Sequence, residues 1–136
     1  METVNELPKD VAILLVDDIP SARRVVTRLL KNLGFTNVNE LGVGSAALEM
    51  LGKNEFDLVI SDLHLKDMLG TDLLDEVRKE DVNRDLPFVI ITSDMSRESF
   101  DKVNRKRSIT YLLKPFNKGR LAEKMTEVLM PPSAGF

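Results

Sequence analysis

The chain contains no cysteine. Disulfides and thiolate zinc sites are therefore excluded, and a reducing cytoplasm is the expected setting. Histidine occurs once, as His64, and a lone histidine cannot build a zinc site. No apolar run approaches the roughly 20 residues that a membrane-spanning helix needs, so no membrane span and no membrane partner are expected. The first ten residues are polar and carry nothing like the apolar stretch of a signal peptide. Basic residues are not in excess. The 19 Lys and Arg face 22 Asp and Glu, a net charge of −3, which argues against direct nucleic-acid binding. Internal repeats and low-complexity segments are also missing.

What is present suits one globular domain. The 136 residues are 43% hydrophobic and 30% charged, enough to close a core unaided. Residues 1–10 read as an N-terminal extension, residues 11–130 as the domain, and the tail Pro131-Pro132-Ser133-Ala134-Gly135-Phe136 as a flexible end.

Inside the domain, apolar runs alternate with helical patterns. Val11 to Val16 reads as a strand buried on both faces. Pro20 opens a helix whose inward face is Val25, Val26, Leu29, Leu30 and Leu33, with Gly34 as the stop. Val38 to Leu41 is a short strand. Ala46 to Leu51 is a helix with Ala47, Leu48 and Leu51 inward. Asp57 to Ser61 is the third strand, and Thr71 to Lys79 the third helix. Pro87 to Ile91 is the fourth strand, followed by a weaker helix from Ser96 to Arg105 with Phe100 and Val103 inward. Ile109 to Leu113 is the fifth strand, and Leu121, Met125, Val128 and Leu129 stripe the last helix. Five strand-then-helix units predict a parallel sheet with helices on both faces, joined by right-handed crossovers. Ligands in such a fold sit beyond the carboxyl ends of the strands.

The polar chemistry falls at those ends. The first strand delivers Asp17 and Asp18, the third Asp62, the fourth Thr92 and Ser93, and the fifth Lys114. Three gathered carboxylates repel one another, and a hard divalent cation such as magnesium relieves that repulsion. A lysine binds phosphate oxygens as a point charge. A threonine hydroxyl donates to a phosphoryl oxygen, and a carboxylate can attack phosphorus to give an aspartyl phosphate. Each residue alone has an ordinary explanation as a cap, turn former, strand residue or solvated charge. Together, gathered at four strand ends, they form a set for phosphoryl transfer.

These motifs resemble the response-regulator receiver domains of two-component signalling, the CheY-like family. The resemblance rests on Asp17-Asp18, Asp62 with Gly70 downstream, Thr92-Ser93, Lys114-Pro115-Phe116, and Tyr111 three residues before the lysine. It runs from about Val11 to Met130. Ser21-Ala22-Arg23-Arg24 and Phe35 to Val38 look closest to the stand-alone chemotaxis type.

The resemblance implies an α/β, doubly wound (βα)5 flavodoxin-like three-layer sandwich with a parallel sheet of order 2-1-3-4-5. It implies that Asp62 is phosphorylated by a sensor histidine kinase. Magnesium would be held by Asp18, Asp62 and the backbone carbonyl of His64, with Asp17 assisting through water. Thr92 and Lys114 would hold the phosphoryl oxygens, Thr92 and Tyr111 would form the switch, and His64 and Asp94 would modulate it. The output would be a downstream protein such as a flagellar motor switch or a phosphorelay protein, reached through the face of the fourth helix, fifth strand and fifth helix. The family commonly has Met-Pro where this chain has Leu65-Lys66, and small residues with a glycine where it has Arg105-Lys106-Arg107-Ser108.

Two other functions stand beside the switch. A receiver fold used as a phosphorylation-independent docking module would gain nothing from clustering like charges. An enzyme on the same sheet fits less well. Asp17-Asp18-Ile19-Pro20 lacks the hydroxyl and glycine content of a flavin phosphate loop. A dehalogenase-type phosphatase would need a second aspartate two residues after its nucleophile, where Ile19 or Pro20 stands.

Overall fold

The computed structural model describes residues 7–94 and 108–130. Its strands are β1 (Ile13–Val16), β2 (Val38–Leu41), β3 (Leu58–Asp62), β4 (Phe88–Thr92) and β5 (Ile109–Leu113). Its helices are α1 (Pro20–Asn32), α2 (Gly44–Lys53), α3 (Gly70–Val77) and α4 (Lys118–Leu129), with a short 3-10 turn at Asp81–Asn83. The helix expected over Ser96 to Arg105, with Phe100 and Val103, lies outside the described residues.

The strands form one parallel sheet of order β2-β1-β3-β4-β5, as the resemblance implies. Alternation along the strands sends side chains to opposite faces. Leu14, Val16, Val59, Phe88, Ile90 and Tyr111 pack with Ala47 and Leu51 of α2 and with Leu73, Leu74 and Val77 of α3. Ile13, Leu15, Leu58, Ile60, Val89, Ile91 and Leu112 pack with Val26 and Leu30 of α1 and with Leu121, Met125 and Val128 of α4. β1, β3 and β4 are buried along their whole length. β2 and β5 are the edges and are only partly covered.

Most boundaries fall close to those expected. β1 begins at Ile13 and not Val11, α2 begins two residues earlier than expected, and Asp62 is the last residue of β3 rather than the first beyond it. Helix α1 ends as Gly34 predicts. Gly34 adopts φ +98, its N–H reaches Lys31 O and the N–H of Phe35 reaches Leu30 O, 2.9 Å each. This left-handed turn tucks Phe35 into the core. One inward assignment is corrected. Val25 is 55% exposed, because the stripe facing the sheet is centred on Val26 and Leu30 and Val25 lies about 100° around the helix from Val26.

Candidate functional site

The site is built where the chain leaves β1, β3, β4 and β5. Backbone hydrogen bonds carry the sheet ladder past the strands and align these exits. Asp17 N–H donates to Leu41 O at 3.1 Å, Leu63 N–H to Ile91 O at 2.8 Å, and Lys114 N–H to Thr92 O at 2.8 Å. The side chains that follow β1 and close β3 thereby reach one crevice.

Asp17, Asp18 and Asp62 meet there. One carboxylate oxygen from each lies within 4.8 Å of the others. Asp17 and Asp62 are buried and Asp18 is half-buried. Burial pushes the Asp17 carboxyl above its ordinary value, and the nearby charges of Asp62 and Asp18 push the same way. The Ile19 N–H, which donates to Asp17 Oδ1 at 2.9 Å, and the Lys114 ammonium act against that rise. Lys114 Nζ stands 3.1 Å from Asp62 Oδ1. Lys114 is joined to Pro115 by a cis peptide bond. Three carboxylates and one ammonium leave an excess of negative charge in a partly dry cleft. That donor set of hard oxygens fits a magnesium ion.

Thr92 is 1% exposed at the end of β4. Its hydroxyl donates to Asp94 O and accepts from Asp94 N–H, both at 3.0 Å. Asp94 thus engages the threonine through its backbone, while its side chain is exposed. Tyr111 is 6% exposed and sits in the core among the residues facing α2 and α3. It pairs in register with Ile90, two residues before Thr92. The Tyr111 ring expected to take part in the switch is therefore already buried here. The side chain of His64 is exposed, and its backbone forms an isolated bridge with Leu69.

Three contacts of the site go beyond the sequence reading. Arg23 in α1 donates from Nη1 to the Asp17 carbonyl at 2.7 Å and from Nε to Glu40 of β2 at 3.3 Å. Gly70 packs against Asp62 so closely that a Cβ would lie 2.6 Å from the Asp62 carbonyl oxygen and 3.1 Å from Ser61 Oγ. Asp67 accepts from the N–H groups of Gly44 and Ser45, which hold its carboxyl below the ordinary carboxylate range. Gly70 at least carries a signal, since a glycine just ahead of a helical pattern suggests close backbone approach.

The family model for the response regulator receiver domain matches residues 13–126. This chain belongs to that family. Receiver domains are phosphorylation switches of two-component signalling rather than conventional enzymes, and this one has their sheet order and their gathered acidic residues. Among similar proteins is the chemotaxis protein CheY-3 of Vibrio cholerae, 38% identical over 122 residues, covering 90% of this chain and 94% of that protein. The solved structure of Vibrio cholerae CheY4 superposes with a TM-score of 0.79 at 29% identity, covering 88% of this chain and 99% of that one. A receiver domain from a sensor histidine kinase of Pseudomonas aeruginosa, described with a magnesium ion coordinated in its active site cleft, shares the fold at 23% identity. Its TM-score is 0.78, over 88% of this chain and 98% of that one. Among the described residues no helix is long and apolar enough to cross a membrane.

Proposed function

We propose that the receiver unit spans residues 11–130 and that Asp62 is its phosphoacceptor. The observation that carries this reading is the placement of Asp62. It is the one carboxylate that closes β3, it shares a 4.8 Å cluster with Asp17 and Asp18, and it faces an ammonium at 3.1 Å. A carboxylate oxygen of Asp62 attacks the phosphorus of a phosphohistidine on a partner kinase. The new O–P bond forms as the P–N bond breaks, and the imidazole leaves with the electron pair. Asp18, Asp62 and the backbone carbonyl of His64 would hold magnesium, with Asp17 behind them through water. When bound, the ion neutralises charge on the transferring phosphoryl oxygens. Lys114 stays within reach of Asp62 and takes one of those oxygens. Thr92 gives up its bonds to Asp94 and donates its hydroxyl to another.

That exchange is the switch. Asp94 loses its hold on Thr92, which stands two residues beyond Ile90, the register partner of Tyr111. Phosphorylation need only bias two pre-existing arrangements of these residues. The output is a protein partner engaged near β5 and the last helix, and likeness to chemotaxis proteins favours a flagellar motor switch component over a phosphorelay protein. The test is incubation of the full chain with magnesium and acetyl phosphate. The expected result is the mass gain of one phosphoryl group, lost in Asp62→Asn and dependent on magnesium. Partner binding that is indifferent to Asp62→Asn would favour the docking-module reading instead.

A further inference from the structure

Helix α2 begins without a cap of its own. The residue before it, Val43, is extended (φ −139, ψ 152), and its side chain offers no acceptor. The first N–H groups of any helix lack partners within it. Here two of them are taken by a residue 23 and 22 positions further along the chain. Asp67 accepts from Gly44 N–H through Oδ1 and from Ser45 N–H through Oδ2, both at 2.9 Å. The neighbouring Met68 closes over the same spot. A Cβ on Gly44 would lie 2.5 Å from Met68 Sδ, so a side chain there would displace Met68.

Asp67 and Met68 belong to the turn that follows Asp62. Within that turn the ties are to backbone. Leu65 N–H donates to Met68 O at 3.1 Å, Gly70 N–H to Leu63 O at 2.7 Å, and His64 is bridged to Leu69. The turn is thus internally closed. Leu63 N–H ties its start to Ile91 O of β4 and Leu69 N–H ties its end to Asp72 Oδ2 of α3 at 3.1 Å, and the Asp67 carboxylate is its hydrogen-bonded anchor to α2.

We infer that Asp67 is a positioning residue, a cap supplied to α2 from the turn after Asp62, which fixes the backbone around His64 for magnesium. This rests on the reading of Asp62 as a magnesium-assisted phosphoacceptor. Asp67 touches neither the metal nor the phosphoryl group. It acts by holding the turn against α2, so that the carbonyl of His64 is presented without further ordering of the loop when the ion binds.

Two full-chain variants separate this role from plain helix stabilisation. Asp67→Ala removes both the cap and the tether. Adding Val43→Ser returns a cap to α2 from its own chain neighbour while leaving the turn untethered. The double variant is expected to regain most of the thermal stability lost in Asp67→Ala. Its magnesium affinity by calorimetry should nevertheless remain weaker than wild type by roughly tenfold, the usual scale for losing an outer support of a metal ligand. Without metal, the amides of Leu65 and Gly70 should exchange faster with solvent in both variants. Asp67→Asn, which keeps one acceptor oxygen, should fall between wild type and Asp67→Ala. Wild-type magnesium affinity in the double variant, or unchanged amide exchange, would overturn the inference. A wild-type chain that binds no magnesium would overturn the Asp62 reading instead, and the metal-free exchange would still decide whether Asp67 tethers the turn.

Discussion

The Lys114 ammonium reaches Asp62 Oδ1 at 3.1 Å across the end of β4, the strand that separates their own two strands in the sheet. Thr92 closes that intervening strand. The three residues thus stand at neighbouring strand ends, around the place where a phosphoryl group on Asp62 would be held. Replacing Lys114 by methionine should leave the fold intact, because the side chain is one-third exposed. Phosphorylation of Asp62 by acetyl phosphate should slow by about a hundredfold, the usual scale for losing one preorganised charge partner. An unchanged rate in a mass-spectrometric time course would remove Lys114 from the site.

Asp17 makes the apo protein sensitive to acid in an unusual direction. Its folded-state value lies above the 3.8 of an ordinary aspartate, chiefly through burial. The native chain therefore binds this proton more readily than the unfolded chain does. Stability from this group rises as pH falls from the raised value toward 3.8, and the charged form is a cost at neutral pH. Asp17→Asn should raise the metal-free melting temperature at pH 7 and flatten its pH dependence in the mildly acidic range. With saturating magnesium the order should reverse, since the ion stabilises the folded state of wild type more than that of the variant. Thermal melts at several pH values, with and without magnesium, check both halves.

Gly70 and Gly52 should respond oppositely to alanine. A Cβ at Gly70 meets the Asp62 carbonyl at 2.6 Å, and relieving that clash should cost about 1–3 kcal/mol and displace Asp62, the proposed phosphoacceptor. Gly52, on the exposed side of α2, has nothing within 4 Å. Gly52→Ala should gain about 0.5–1 kcal/mol from helix propensity alone. Denaturant titrations of the two variants decide the matter, and equal effects would contradict the packing described.

His64→Asn should alter the phosphoryl half-life severalfold while leaving magnesium affinity nearly unchanged. At this position only the backbone would meet the metal, and the side chain is exposed two residues beyond Asp62. The half-life is read by loss of label from phosphorylated protein. A comparable fall in magnesium affinity would assign the side chain a structural part.

Much of this was legible because buried parallel strands announce themselves. Val59, Ile60, Val89, Ile90 and Ile91 are apolar without alternation since both faces are covered. Polar residues that interrupt such runs must stand at strand ends, and that alone placed Asp17, Asp62, Thr92 and Lys114. Neither Asp67 nor Arg23 could be placed that way. Asp67 lies in a polar turn like any other, and its partners on α2 are chosen by how the loops stack after the sheet has formed. A helix expected from Ala46 would have had Ser45 as its cap, so nothing pointed to an outside acceptor; the need arises only because the helix begins at Gly44, behind Val43. Arg23 reads as one more surface charge of an amphipathic helix, and only the β1–α1 connection brings it onto the Asp17 carbonyl. Val25 misled for a related reason, because an apolar residue beside a stripe need not belong to it.

The sheet order also bears on when the protein can signal at all. Asp17, Asp62, Thr92 and Lys114 come from four strands drawn from both halves of the chain, and they converge only after distant segments have paired. Such non-local assembly is slow compared with local helix formation. A chain still emerging from the ribosome, or one clipped before β5, lacks Lys114 and the last strand that closes the sheet. On the proposed reading, full competence to accept a phosphoryl group is in that sense a certificate of completed folding.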